Sequence, residues 1–209
     1  RTYEERGLGY DNAFDGIRLK YELTKGLNLT GLIGKQRIFF DYGEGIVRAF
    51  DAELQVNQVF EPLSKSKTNI ILGGSAVSKY QADQDSRYVL PENVGSFAGR
   101  INVHRGKVNL NAEYAYKIND PSSDNGFIYK PGEALFIQTS YSKKGFGLVL
   151  AAKRNDNMSF RSDRTADEQN LLINFLPALT KQHTYNLLAT LYPYATQLNG
   201  EVAFQADLF

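Results

Sequence analysis

The chain has 209 residues, a formal net charge of +1 and no cysteine. It contains 24 basic and 23 acidic residues. The basic residues form no block along the chain, so no nucleic-acid partner is predicted. The lack of cysteine excludes a disulfide scaffold and thiolate metal sites. No stretch approaches the roughly 18 consecutive apolar residues of a membrane-spanning helix, which excludes a helical membrane protein.

The dominant period of the sequence is two, which indicates strands with one apolar and one polar face. From residue 16 to residue 24, apolar residues alternate with charged ones: Ile17, Leu19, Tyr21 and Leu23 against Arg18, Lys20 and Glu22. A tight turn at Lys25-Gly26 leads into a second strand. The same reading predicts further strands at 46–60, 68–80, 96–105, 107–118, 133–142, 146–154, 168–176, 184–192 and 198–209. The span 168–176 alternates least.

The predicted connections alternate in length along the chain. Short turns are expected near 25–26, 61–67, 105–107, 143–145 and 177–183. Long polar loops are expected near 38–45, 81–95, 119–132 and 155–167. One end with tight turns and one with long loops is typical of an outer-membrane barrel. The prediction is therefore an all-β, antiparallel up-and-down meander that forms a transmembrane β-barrel.

We expect residues 1–209 to form a single barrel segment of about ten to twelve strands. The predicted strands number eleven, whereas bacterial single-chain barrels usually have an even number. At least one strand would then be missing, so the expectation is that the chain is part of a larger barrel. The negative mean hydropathy of −0.39 fits this class, because barrel strands are apolar on one face only.

In such a barrel the polar strand faces line the lumen. The candidate lumen-lining residues are Arg18, Lys20, Glu22, Asp51, Glu53, Gln55, Arg100, Asn102, His104, Asn109, Asn111 and Glu113. Aromatic residues near the strand ends match the girdles of barrels, although aromatics also fill soluble β-sandwich cores. These residues are Tyr21, Phe60, Tyr80, Phe97, Tyr116, Tyr141 and Phe146.

The pair Asp51 and Glu53 has two interpretations: an acid/base pair, as in glycoside hydrolysis, or lumen lining. The lining interpretation is favoured because basic residues, Arg100 among them, can balance the pair. His104 and His183 lack the ligand spacing of a zinc site. No phosphate-binding loop or serine elbow is present. The sequence therefore predicts no catalytic, cofactor or metal residues and a non-enzymatic protein.

Two aromatic, charged segments, 37–45 and 127–130, fall in predicted loops. They could bind sugars or a partner protein, or they could be lids packed over the barrel mouth. The sequence leaves these alternatives open.

The segment Gly7-Leu-Gly-Tyr-Asp-Asn-Ala-Phe-Asp-Gly-Ile-Arg-Leu-Lys20 is followed by Gly34-Lys-Gln-Arg37 and by Phe40-Asp-Tyr-Gly-Glu-Gly-Ile-Val-Arg48. These residues resemble a family of uncharacterised outer-membrane β-barrel proteins from Bacteroidota. The resemblance implies an outer-membrane location, a barrel architecture and a considerably longer full chain. It implies no activity and no residue roles.

The leading hypothesis is an outer-membrane barrel that acts as a pore or as a scaffold within an envelope complex. Its partners would be outer-membrane lipid and, in addition, envelope proteins or a small solute, with no cofactor. The alternative is a soluble or surface-exposed β-sandwich or barrel that binds carbohydrate or protein. In that case the apolar strand faces would pack against each other in a core about 10 Å thick.

Overall fold

The structure is a computed structural model that describes residues 13–38, 40–166, 170–176, 179 and 196–209. Nine strands form one sheet, in which each strand pairs antiparallel with the next along the chain. The strands are β1 (Phe14–Thr24), β2 (Leu27–Ile38), β3 (Asp41–Gln55), β4 (Thr68–Tyr80), β5 (Asn93–Arg105), β6 (Val108–Lys117), β7 (Gly132–Lys143), β8 (Phe146–Asp156) and β9 (Gly200–Leu208). The predicted all-β, antiparallel up-and-down meander is confirmed.

Short connections lie at one end of the sheet, which we call the turn end. Three of them are two-residue turns that use Gly26, Gly106 and Gly145 at positive φ. Glycine adopts this backbone conformation without a steric penalty, so these positions select tight hairpins. The fourth connection contains two short helices, α1 (Val56–Val59) and α2 (Glu61–Ser64).

The opposite end, which we call the loop end, carries the connections 81–92 and 118–131 and the described parts of the link from β8 to β9, among them 157–166 and 170–176. The predicted long loop at 38–45 is wrong, because β2 ends at Ile38 and β3 begins at Asp41. Arg37 pairs with Tyr42, so residues 41–45 extend the ladder instead of leaving it. The glycines in this stretch look like loop residues in the sequence, yet they lie inside a strand.

The predicted strand at 168–176 is also wrong over the residues described there, 170–176. These form only one isolated bridge, between Arg161 and Leu172. Leu171 has a positive φ of 55°, which is incompatible with a regular strand. β9 pairs directly with β8. The predicted strand at 184–192 lies outside the described residues.

The sheet is open. Within the part of the chain that the structure describes, β1 and β9 are its two edges, and no pairing joins them. No helix among the described residues is long and apolar enough to cross a membrane.

The strand register separates the side chains into two faces. All of the predicted lumen-lining residues fall on one of them, which we call the polar face. One row across this face runs Lys20, Thr30, Asp51 and Ser75, and the next runs Glu53, Gly73, Arg100 and Glu113. Directly paired residues share a face, so the period-two pattern alone fixes this separation.

The opposite face, which we call the apolar face, exposes large hydrophobic side chains. Exposure reaches 68% for Leu19, 54% for Phe97 and 80% for Phe204. Other exposed members are Ile17, Tyr21, Leu23, Ile33, Phe50, Leu72, Tyr114, Leu135, Ile137, Leu150, Val202 and Leu208. Soluble monomers rarely expose a contiguous apolar surface of this extent.

Candidate functional site

The polar face is covered near the loop end by part of the last long connection. We call this part, residues 157–166 and 170–176, the inner segment. It folds back on itself: Ser162 N–H donates to Leu171 O at 2.9 Å, and Ile173 N–H donates to Phe160 O at 2.8 Å. The side chain of Asn174 accepts from Phe160 N–H at 3.0 Å and donates to Met158 O at 2.6 Å. These bonds give the segment an internal structure of its own.

The inner segment contacts strands that are far apart in the sheet. The Gln36 amide on β2 donates to Leu172 O at 2.9 Å. On β3, a Cβ placed on Gly45 would lie 1.8 Å from Ser162 O, so only glycine allows this approach. A Cβ placed on Gly132 of β7 would likewise lie too close to a carbonyl, 2.2 Å from Asn157 O. These contacts place the inner segment on the polar face, against β2 and β3 and beside β7.

A cluster of charges is enclosed beneath the inner segment. The Lys79 ammonium lies 2.8 Å from Asp120 Oδ1, and the Lys117 ammonium lies 3.6 Å from Asp120 Oδ2. Lys117 also donates to Ser159 O, and the ring of Phe160 lies 5.6 Å from the Lys79 ammonium. The side chains are 0% exposed for both lysines and 2% for the aspartate. One carboxylate therefore links β4 and β6, and the two lysines in turn contact the inner segment.

Two arginines of the inner segment bind the other loops. Arg161 forms an ion pair with Asp124 at 2.5 Å and donates to Asn170 O at 2.6 Å. Arg164 donates from its backbone and its Nε to Gln81 Oε1, at 3.0 and 3.1 Å, and from Nη2 to Pro91 O at 2.9 Å. The guanidinium groups are buried at 2% and 3% residue exposure, so they act as internal braces.

Asp163, within the inner segment, has a pKa shifted from its ordinary value. Burial alone would raise the pKa of Asp163, but hydrogen bonds outweigh that effect and hold it below the ordinary value of 3.8. Its Oδ1 accepts from the Thr165 backbone at 2.9 Å, the Thr165 hydroxyl at 2.7 Å and the Gln81 amide at 3.1 Å. Ionised Asp163 thus stabilises the docked inner segment.

Toward the turn end, the polar face carries a partly buried charged network. Arg100 binds Asp51 through two contacts of 2.6 and 2.9 Å and lies 3.7 Å from Glu53. The Ser75 hydroxyl donates to Asp51 Oδ1 at 2.6 Å. A bidentate pair of this kind fixes both groups. Arg100 therefore balances the charges of both Asp51 and Glu53.

The remaining predicted lining residues lie around this network. Asn102 and Asn111 are paired in register, and His104 Nδ1 lies 2.5 Å from Asn109 Oδ1 across the adjacent hairpin. Arg18, Lys20 and Glu22 are exposed on the edge strand. Among the described residues no group of three or more His, Asp or Glu side chains could hold a metal ion. His183 lies outside those residues.

The sequence reading missed the enclosed cluster of Lys79, Lys117 and Asp120. The two lysines do occupy polar-face positions in the alternation, which was the available signal. A lysine in an alternating strand normally indicates a solvated face, however, and Asp120 comes from a loop whose position the pattern does not fix.

The aromatic loop segment 127–130 packs against the loop 81–92. The rings of Tyr88 and Phe127 stack at 4.8 Å with an angle of 7°, and the Tyr129 hydroxyl donates to Val89 O at 2.6 Å. Beside them, hydrogen bonds from Arg87 hold the pKa of Asp85 below its usual value. The other aromatic segment, 37–45, belongs mostly to β2 and β3, and Arg37 there lies 6.0 Å from the Tyr42 ring.

A cavity of about 400 Å³ lies between the sheet and the underside of the inner segment. Ala98, Ala115 and Ala134 line it on the sheet side, and Met158 and Phe160 line it on the other side. Its lining is largely apolar, in contrast to the rest of the polar face.

The fold and this site define a class: an antiparallel meander with an exposed apolar face and an internally braced polar face. Comparison with protein families gives a match over residues 1–209 to a family of unknown function, DUF6029. The chain belongs to that family. No curated protein and no solved structure matches it.

Proposed function

We propose that this chain is the wall of an outer-membrane β-barrel, with its apolar face toward lipid and its polar face toward the lumen. The exposed apolar face carries the proposal. Its hydrophobic side chains follow all of the strand ladder, whereas the opposite face holds the charges and the inner segment. The nine strands have 9 to 15 residues, close to the roughly 9–11 that a tilted membrane strand requires.

A soluble sandwich is the less supported alternative. It needs a second layer over the apolar face, and the described residues form a single sheet. The folded-back part of the chain packs on the polar face instead.

The braced inner segment favours a scaffold role over an open pore. A buried ion pair, hydrogen bonds to the sheet and glycine contacts hold it across the loop end of the polar face. We propose that the protein contributes a closed barrel to an envelope complex, with no enzymatic activity. Partner proteins would contact its loop end, where 81–92 and 127–130 form one packed surface.

Cell fractionation of the intact protein tests this proposal. We expect it in the outer-membrane fraction, with a gel mobility that changes on boiling, since folded barrels resist detergent. In planar bilayers we expect little conductance. A soluble, heat-insensitive protein would contradict the barrel, and large steady conductance in the folded protein would contradict the scaffold.

A further inference from the structure

The cavity beneath the inner segment has an unusual floor. Ala98, Ala115 and Ala134 pair with one another across β5, β6 and β7, so they form one row of small side chains on the polar face. Their small size leaves the space that the cavity occupies. The roof consists of Met158, Phe160, Ile173 and Phe175 from the inner segment. Alanine below and larger apolar side chains above give a slot suited to hydrocarbon.

The size and lining of the cavity fit a small ligand. Its volume of about 400 Å³ lies within the range of roughly 300–1,000 Å³ that is typical of ligand sites. Such sites are mostly apolar with a few polar groups that orient the ligand. The sheet separates this cavity from the apolar face, so a ligand reaches it from the polar-face side.

The charges beside the cavity select the polar end of that ligand. In the next row of the sheet, Arg100 is engaged by Asp51, and Lys153 forms an ion pair with Glu201 at 2.9 Å. Glu113 lines the cavity and is exposed. Within the described residues it has no hydrogen bond or ion pair, but it lies opposite Arg100 in the strand register and acts on that guanidinium electrostatically. Arg100 already binds Asp51 and lies 3.7 Å from Glu53, so carboxylates outnumber the guanidinium here; this disfavours an anionic head group and attracts a cationic one.

We propose that this cavity binds the alkyl chain of a single-chain amphiphile whose cationic amine lies beside Glu113. The chain enters between the alanine row and the roof, and the ammonium remains at the polar edge. The cavity does not depend on the membrane placement of the apolar face, so this inference can stand or fall separately from the proposed function.

The protein contains no tryptophan, so a single Trp gives a fluorescence signal without background. We would place it at the cavity wall with Phe136→Trp in the intact protein, held in lipid nanodiscs without detergent. The probes are dodecylamine and dodecanoate, each brominated at the chain end to quench Trp on contact. We expect saturable quenching by the amine at a concentration about threefold or more below that of the carboxylate, because an exposed carboxylate attracts the one head group and repels the other.

Matched variants identify the site. In the Phe136→Trp background, Ala115→Leu should fill the slot and abolish saturable quenching, whereas Ala112→Leu on the apolar face of the same strand should leave it unchanged. Glu113→Gln should remove the preference for the amine. If the Ala115→Leu protein does not give the folded, heat-modifiable band, Ala98→Leu replaces it, because Ala98 belongs to the same row of the cavity floor and the same loss of quenching is expected.

Two results would overturn the inference: quenching that does not saturate, or saturable quenching that survives filling of the slot. Equal affinities for amine and carboxylate, unaffected by Glu113→Gln, would overturn the assignment of the head group. A soluble protein with saturable quenching would reject the outer-membrane proposal and keep the cavity. A heat-modifiable outer-membrane protein without saturable quenching would keep the outer-membrane proposal and reject the amphiphile site in the cavity.

Discussion

Asp120 is the carboxylate on which the enclosed charges of the loop end depend. It lies 2.8 Å from Lys79 and 3.6 Å from Lys117, and none of the three side chains is more than 2% exposed. Removing one member of a buried ion pair leaves an uncompensated charge away from water, which is more costly than the loss of the attraction itself. Both lysines would lose their counter-charge at once.

Asp120→Asn is therefore expected to lower the free energy of unfolding by about 3–5 kcal/mol. The control is Asp156→Asn, whose partner Lys130 is 49% exposed; loss of such a surface pair should cost less than about 1 kcal/mol. Urea titration of the protein folded in lipid vesicles measures both. Equal effects of the two substitutions would contradict the enclosed cluster.

At the residue scale, sequence reasoning worked where the period of two decides the answer. It placed Asp51, Glu53 and Arg100 on one face, and the structure joins them directly. It did not find Asp120, because the position of a loop carboxylate depends on the path of residues 118–131 rather than on any strand pattern. Burial of Lys79 and Lys117 depends on a segment distant in sequence, and the alternation carries no information about it.

At the scale of elements, the inner segment and β3 fit together through glycine. Gly45 lies on the polar face, where Ser162 O occupies the space of a side chain. The sequence pattern indicated a loop at 38–45 because glycine is common in loops. Glycine is required at position 45 because the backbone of the inner segment comes close to that of β3 there. Only the three-dimensional structure shows this contact, since the two segments are far apart in sequence.

Gly45→Ala should displace the inner segment, because the new Cβ would lie 1.8 Å from Ser162 O. Arg161 and Arg164, now buried, would become accessible to trypsin. We expect cleavage at these arginines to be at least about tenfold faster, since the opening equilibrium sets the rate. In Gly31→Ala, where nothing lies within 4 Å, cleavage should stay at the wild-type rate. Equal rates in both variants would contradict the contact.

Asp163 gives the inner segment a pH dependence of known sign. Its pKa is lower in the folded protein than the ordinary 3.8, so its stabilisation is complete above that value and is lost as the pH falls through the folded pKa. The stability difference between the wild type and Asp163→Asn should be constant near neutral pH and should shrink below about pH 3.8. Urea titrations across this range measure it. A difference that grows on acidification would have the wrong sign.

The predicted strand at 168–176 failed for a related reason. Leu171-Leu172-Ile173 is apolar enough for a buried strand, and periodicity cannot separate such a run from a buried loop. Its burial comes from packing against the sheet: Leu172 is 1% exposed and bonds to Gln36 through its carbonyl. Burial without a continuous ladder is a tertiary property, so the local sequence could not reveal it.

At the scale of the whole molecule, the two faces have opposite characters. The apolar face is exposed, and the polar face is covered at the loop end by the inner segment and braced by ion pairs. The meander and the assignment of residues to faces follow from the sequence alone. The closure of the sheet does not, because it depends on what pairs with the outer edges of β1 and β9.

Leu110→Arg should prevent assembly in the outer membrane, because Leu110 belongs to the apolar face and its partners are Val103 and Thr139. An arginine on the lipid face costs about 2–4 kcal/mol at the bilayer midplane and less toward the interfaces, and Leu110 is the third residue of β6. Asn111→Arg, one residue further and on the polar face, should assemble normally. The amount of heat-modifiable protein in the outer-membrane fraction measures both. Equal assembly of the two variants would contradict the placement of the apolar face against lipid.

The most direct test of the lipid-facing apolar surface is a tryptophan scan along β6. Single Trp residues at positions 109 to 114, in a chain without natural Trp, are compared in vesicles of brominated lipid. We predict strong quenching at 110, 112 and 114 and weak quenching at 109, 111 and 113, since alternate residues point to opposite faces. Uniform quenching, or strong quenching at the odd positions, would contradict the account.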